Sequence, residues 1–300
     1  MIYKMAINGI ANPSNFRDGH HINNLLKGRA TLGKREIEYA TYIYLINAQL
    51  GFTLHSSLEQ KDFMLVYFIS NHQSPEMMIS DLIIKIQNSI ISLDQLSWIS
   101  RNDNRLIIWL LDQLTMTFNH INQHYDLNNL FNNFLFNLDI ANIHIEQKNI
   151  FLQSCMQQWN SIKLPEKDIK WLNMNNSEQI EWACQYLIKN RLILNNYYFL
   201  STLASKYDIV LASLDSLSYS SSPSDKELFL LKMKKTWSQK KFRDSGKAKK
   251  PFHLPLTKHT QTRLEELSRI ENVSISKIIE RLVDLEYEKY SNTKGKNLYE

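Results

Sequence analysis

The chain has 300 residues, 43% hydrophobic and 11% aromatic, which is enough apolar surface for a sizeable core and excludes a disordered chain. Its formal charge of +5 is unevenly placed: residues 226–300 hold 18 Lys/Arg against 10 Asp/Glu, and residues 1–225 hold 17 against 20. A slightly acidic body with a basic end suits a protein that grips a polyanion at that end. The length leaves room for one large domain and one small one.

Residues 1–33 carry four of the seven glycines, Pro13 and several Asn, the pattern of a loop-rich arm with one short helix near Ile22 to Leu26. Arg17, His20, His21, Lys27, Arg29, Lys34 and Arg35 make the arm and its exit locally basic, which reads most simply as solvated surface. Lys4, Asn8, Asn12 and Asn15 deny the N-terminus a signal-peptide core, and no apolar run reaches the length of a bilayer span. A cytoplasmic protein with no membrane contact is therefore expected.

No glycine lies between Phe52 and Ser245, which points to helices rather than strands joined by tight turns. Residues 34–50 form the first long helical pattern, stopped by Gly51. The capping box Ser57-Leu58-Glu59-Gln60 opens a helix through Phe63, Val66, Tyr67 and Ser70. Pro75, at the first helical position after Ser74, opens another that runs to Ile90. A short pattern from Ser92 comes next, then 104 to about 124, 127–138, 143–162, 177–189 and 195 to about 217. Asn is abundant on these faces, which weakens each helix slightly and leaves tertiary packing to hold it.

Within this body the chemistry-bearing residues are sparse. Cys155 and Cys184 sit in helical patterns among apolar neighbours and read as buried free thiols. His120 and His124 have metal-ligand spacing but lack a third ligand and the glutamate of a zincin motif, so they read as a surface pair. Glu178, Glu181 and Asp208 read as solvent-facing acids. Phosphate loops, dinucleotide fingerprints and nucleophile elbows are absent from the sequence, so no catalytic residue, metal ligand or cofactor is assigned.

Ser218-Tyr219-Ser220-Ser221-Ser222-Pro223 marks a linker at 218–223, closing an all-α domain of residues 1–217. A basic helix at 224–245 comes after it, opened by Ser224-Asp225-Lys226-Glu227, with Trp237 and Phe242 as anchors to the body. Between Lys232 and Lys250 there are nine Lys/Arg and one Asp, a density suited to phosphate contact. In Phe252-His253-Leu254-Pro255-Leu256 the apolar residues alternate, as on a ribbon with one apolar face. Thr257 caps a helix bearing Leu264, Leu267 and Ile270, Asn272 sits at a turn, and Ser274 begins a second helix with Ile275, Ile278, Ile279, Leu282, Val283 and Leu285.

This order of strand, helix, turn and helix resembles the ribbon-helix-helix DNA-binding superfamily over about residues 249–290. The basic approach from Met233 to Lys250 is similar to that of the bacterial family that organises the chromosome terminus. The resemblance implies a small dimeric module at 246–290, with a tail at 291–300, in which two chains pair their strands and insert the ribbon into the major groove of double-stranded DNA. Pro251 and Pro255 depart from that pattern, and because they have no N–H to give, a ladder would use the edge of Phe252, Leu254 and Leu256. Lys240, Lys241, Arg243, Lys249, Lys250, His253, Ser274, Ile275, Ser276 and Lys277 are the expected DNA contacts. Phe252, Leu254, Leu256, Leu264, Leu267, Ile278, Ile279, Leu282 and Val283 are the expected dimer core.

The sequence thus predicts a mainly α protein with a large helical N-terminal domain and a small C-terminal ribbon-helix-helix module. Its expected role is that of a dimeric, sequence-selective DNA-binding protein in transcription control or DNA organisation, whose helical domain is available to a protein partner. The other reading is an effector or toxin-like enzyme placed on nucleic acid by its C-terminal module.

Overall fold

The computed structural model describes residues 21–46, 56–120, 122–123, 125–126, 129–195, 197–201, 204–217, 223–245 and 255–291. Two compact units divide the chain, Met1–Gln239 and Lys240–Glu300.

The first unit opens with α1 (His21–Leu26), α2 (Lys34–Thr41, continued as a π-helical turn over Tyr42–Ile46), α3 (Leu58–Ser70) and α4 (Pro75–Ser89). Its boundaries obey local chemistry. Ser57 Oγ accepts from the Gln60 amide at 3.2 Å while Gln60 Oε1 accepts from the Ser57 amide at 3.0 Å, and Pro75 occupies the first turn of α4. The short α1 lacks length to hold itself, and the buried Asp62 of α3 caps it by accepting from the amides of His21 and Ile22 at 2.5 and 2.9 Å. Ile22, Leu26, Ile37, Leu65, Ile69 and Leu82 close the core of this bundle.

The central layer is α5 (Asn104–Phe118), α6 (Leu130–Ile140) and α7 (Ile145–Ile162), with Trp109, Phe134 and Trp159 buried among them. After the short α8 (Glu166–Ile169) come α9 (Ser177–Lys189), the single turn α10 (Tyr197–Leu200), α11 (Lys206–Ser216) and α12 (Pro223–Asp244). Helix α11 packs on both α5 and α9, joining the central layer to a further cluster that includes Leu187, Val210, Leu214 and Met233. The expected helix over 195–217 is two helices. Ser205 begins the second as its cap, accepting from the Asp208 amide at 3.1 Å. The helix expected to reach His124 ends at Phe118, because Asn119 takes the left-handed conformation at φ 51°.

Of the expected linker, residues 218–222 lie outside the described residues, and the compact units divide later, inside α12. The reason is visible on that helix, where Met233 is fully buried and Trp237 packs on Trp182 at 5.1 Å between ring centroids. Phe242, the other expected anchor, is instead 56% exposed.

The second unit holds the last turn of α12, then α13 (Lys258–Glu271) and α14 (Ile275–Ser291), which pack against each other. Among the described residues there is no strand, so the fold class is mainly helical, and a pair of helices stands where a ribbon-helix-helix module was expected. Residues 249–254 of the expected ribbon lie outside the described residues, and Pro255 and Leu256 lead without ladder partners into the Thr257 cap. Pro255 has no N–H to donate, and no second edge is offered among the described residues to satisfy a strand.

Buried charges stitch the body together. Arg105 meets the fully buried Asp215 through two bonds of 2.5 Å and also donates to the Leu164 carbonyl at 3.2 Å. Arg35, expected on a solvated surface, instead forms a two-pronged pair with Asp139 at 2.6 Å on each arm and donates to the Ile91 carbonyl at 2.7 Å. Beside it the ammonium of buried Lys148 donates to the carbonyls of Ser89 and Asp139, both at 2.8 Å. Burial pushes the Asp139 carboxyl up to about 6 against the pull of Arg35, and draws Lys148 down to about 8 against the pull of Asp139. A third pair, Lys61 with Glu38, is buried at 2.5 Å.

Because Asp215→Ala strands the Arg105 charge, it should lower the unfolding free energy by about 3–5 kcal/mol in urea titrations. Removing Glu181 from its exposed pair with Lys206 should cost under about 1 kcal/mol in the same assay. The thiols give a second test: Cys155 and Cys184 are free and buried, with burial pushing them up to about 12 and about 11. At pH 8 the native protein should react with a thiol-specific disulfide reagent at least about a hundredfold slower than the denatured chain, in which both thiols titrate near about 8.5.

Candidate nucleic-acid interface

The basic stretch begins on α12, whose first half is anchored by Lys226 and whose residues 241–244 are exposed. Lys226 is buried, and its ammonium donates to the carbonyls of Ile162 at 2.9 Å and Asp215 at 3.1 Å. Burial lowers its pKa, while the Asp215 carboxylate opposes that shift. Further along, Lys232, Lys234, Lys235, Lys241 and Arg243 are exposed and have no ion-pair partner among the described residues. Lys240, half-buried among them, is paired with Asp244 one turn on. Unneutralised cations along one helix raise the local potential in a way that paired surface charges do not. Lys249, Lys250 and His253 lie outside the described residues.

The hairpin of α13 and α14 has a different character. Thr257 Oγ1 caps α13 by accepting from the Thr260 amide at 3.2 Å. The helix ends at Asn272, in the left-handed conformation at φ 52°, with the Val273 amide donating to the Ser268 carbonyl at 3.2 Å and the Ser268 hydroxyl donating to the Val273 carbonyl at 2.6 Å. Ser274 then starts α14: its carbonyl accepts from the amides of Lys277 at 2.9 Å and Ile278 at 3.2 Å. Arg281 closes the hairpin with a two-pronged pair to Glu271 at 2.5 and 2.6 Å. This geometry matches the turn and helix starts expected from sequence at Thr257, Asn272 and Ser274.

Residues 258–291 contain six Lys/Arg and seven Asp/Glu, so the hairpin itself supplies no positive field. Ser276 and Lys277 are exposed at the start of α14, with Ile275 half-buried between the turn and the helix. Of the residues expected in a dimer core, Leu264 and Ile278 are buried and Leu267 and Ile279 half-buried. Leu256, Leu282 and Val283 are exposed, as are Ile270 at 79% and Leu285 at 50%. Phe252 and Leu254 lie outside the described residues. On α14 the positions Ile275, Ile278, Leu282 and Leu285 recur at alternating three- and four-residue steps, the spacing of a helix-pairing seam. That seam is covered at Ile278 and bare at Leu282 and Leu285.

Elsewhere the structure reassigns residues that the sequence singled out. His120 is half-buried rather than on the surface, with Nε2 3.2 Å from Asn137 Oδ1, and burial lowers its pKa; His124 lies outside the described residues. Glu178 and Glu181 are exposed, as expected, with Glu181 paired to Lys206, while Asp208 is half-buried and its carboxylate accepts from the Ser205 hydroxyl at 2.7 Å. Among the described residues no cluster of three or more His, Cys, Asp or Glu is placed to hold a metal ion, and no helix is long and apolar enough to cross a membrane. A cavity of about 780 Å³ was not legible in the sequence, because its walls come from Lys163 to Trp171 and from α12. No family model matches the chain, and no curated protein or solved structure matches it either.

Proposed function

We propose that the chain is a cytoplasmic, dimeric protein that binds double-stranded DNA, in transcription control or DNA organisation. The observation that carries this reading is the row of cations on α12 from Lys232 to Arg243, all but Lys240 exposed and without an ion-pair partner among the described residues. In sequence the row continues through Lys247, Lys249 and Lys250. Such a row neutralises phosphates and releases counterions, which supplies affinity for any duplex. The hairpin contributes the second copy. Its bare seam at Leu282 and Leu285 on a unit of this size leaves apolar surface that a symmetry mate presenting the same seam would cover.

A second reading, an effector body placed by its basic end, has one observation in its favour. This is the lysine-lined groove of about 780 Å³ in the body.

Replacing Lys240, Lys241 and Arg243 together by Ala should weaken binding to all duplexes about equally. It should also flatten the plot of log affinity against log salt by roughly 0.9 for every phosphate left unneutralised, measured by fluorescence anisotropy. A full chain with no salt-dependent affinity for duplex DNA would refute the proposal. Dimerisation is tested separately by sedimentation equilibrium. The wild type should be dimeric at micromolar concentration, and Leu282→Glu combined with Leu285→Glu, both exposed in the single chain, should give a folded monomer. A monomeric wild type, or a variant that stays dimeric, would remove the seam from the account.

A further inference from the structure

The groove in the body shares Lys234 with the basic row, and the rest of its exposed lining is explained by neither that row nor the core. One wall is the segment after α7, where Lys163, Leu164 and Pro165 lead into α8; the other is the first half of α12, with Leu230, Leu231 and Lys234. Trp171 stands half-buried in the lining, and Leu231 is left 58% exposed there, a costly way to leave a large apolar side chain if nothing lies against it. A cavity of about 780 Å³ falls inside the range of small-molecule sites.

The lysines of the groove are in different states. Lys226 is spent on two backbone carbonyls, and Lys163 lies 3.6 Å from the Asp103 carboxylate and 5.6 Å from the centre of the Trp159 ring. Lys167 and Lys234 are exposed and have no ion-pair partner among the described residues. Two carboxylates, Asp168 and Glu227, also face the cavity. A bare inorganic anion would be drawn by the lysines and repelled by these acids. A ligand with an anionic end and a flat end carrying N–H donors answers both, since its anion meets the ammonium groups, its ring lies on Trp171 and the leucines, and its donors find the carboxylates.

From this lining we infer that the groove binds a nucleotide-like organic anion, in which phosphate is joined to an amino-bearing aromatic ring. Lys167 and Lys234 hold the phosphate, and Trp171 lies against the ring. Such a site is built from the groove alone and stands whether or not the C-terminal end binds DNA.

Isothermal titration calorimetry on the full chain without DNA tests it, using adenosine triphosphate, inorganic triphosphate and adenosine as probes. Adenosine triphosphate should bind saturably at one site below millimolar concentration, and each of the other two at least about tenfold more weakly. Lys167→Glu combined with Lys234→Glu should lower the affinity for adenosine triphosphate at least about tenfold while circular dichroism shows the helical content intact. Trp171→Ala should narrow the advantage of adenosine triphosphate over inorganic triphosphate. Absence of saturable adenosine triphosphate binding, equal binding of inorganic triphosphate, or full affinity in the double lysine variant would each overturn the inference.

Discussion

The body depends on one buried arginine and the carboxylate that meets it. Arg105 is buried at the start of α5, and taking a guanidinium out of water is costly unless a carboxylate meets it there. Asp215 on α11 does so, and then spends its remaining lone pairs on the Leu164 amide at 2.8 Å. Burial raises the Asp215 pKa while Arg105 holds it down. From that pair outward the positions of three further segments are set: the stretch after α7, α11 itself and, through Lys226 on the Asp215 carbonyl, the beginning of α12. The groove wall and the root of the basic helix share one electrostatic origin.

Much of the helical order could be read from local chemistry. The Ser57 box, Pro75, Thr257 and Asn272 each act within a few residues of themselves, and the structure uses them as their positions suggest. The buried pairs could not be read in this way. Arg35 and Asp139 are 104 residues apart, and Arg105 and Asp215 are 110, so each charge taken alone looks like a surface residue. The same holds for the asparagines. Counted along a helix they look like weak helix formers on an outer face, whereas Asn133 and Asn137 are fully buried and tie down the segment before α6.

The C-terminal unit shows the reverse error. Alternation of apolar residues across 252–256 suggests a strand, but alternation describes only a face; a strand also needs an edge to bond, and among the described residues none is present. The helical spacing beyond it did place the hairpin. Charge then separates two tasks that the sequence had merged: the cations stand ahead of the hairpin on α12, and the hairpin has as many acids as bases and one more, with its apolar seam half bare.

The two buried asparagines of α6 also have a kinetic side. Asn133 Oδ1 accepts from the amides of Tyr125 and Asp126 at 2.9 and 3.2 Å, and Asn137 Oδ1 accepts from that of Gln123 at 2.6 Å. These loop amides have no ladder or helix of their own; their acceptors are side chains rooted in α6. Solvent reaches such protons only when the amide partners let go, and those partners are held by buried helix packing. An irregular stretch thereby inherits the slow hydrogen-exchange clock of the helix it precedes, and its opening belongs to the same cooperative event.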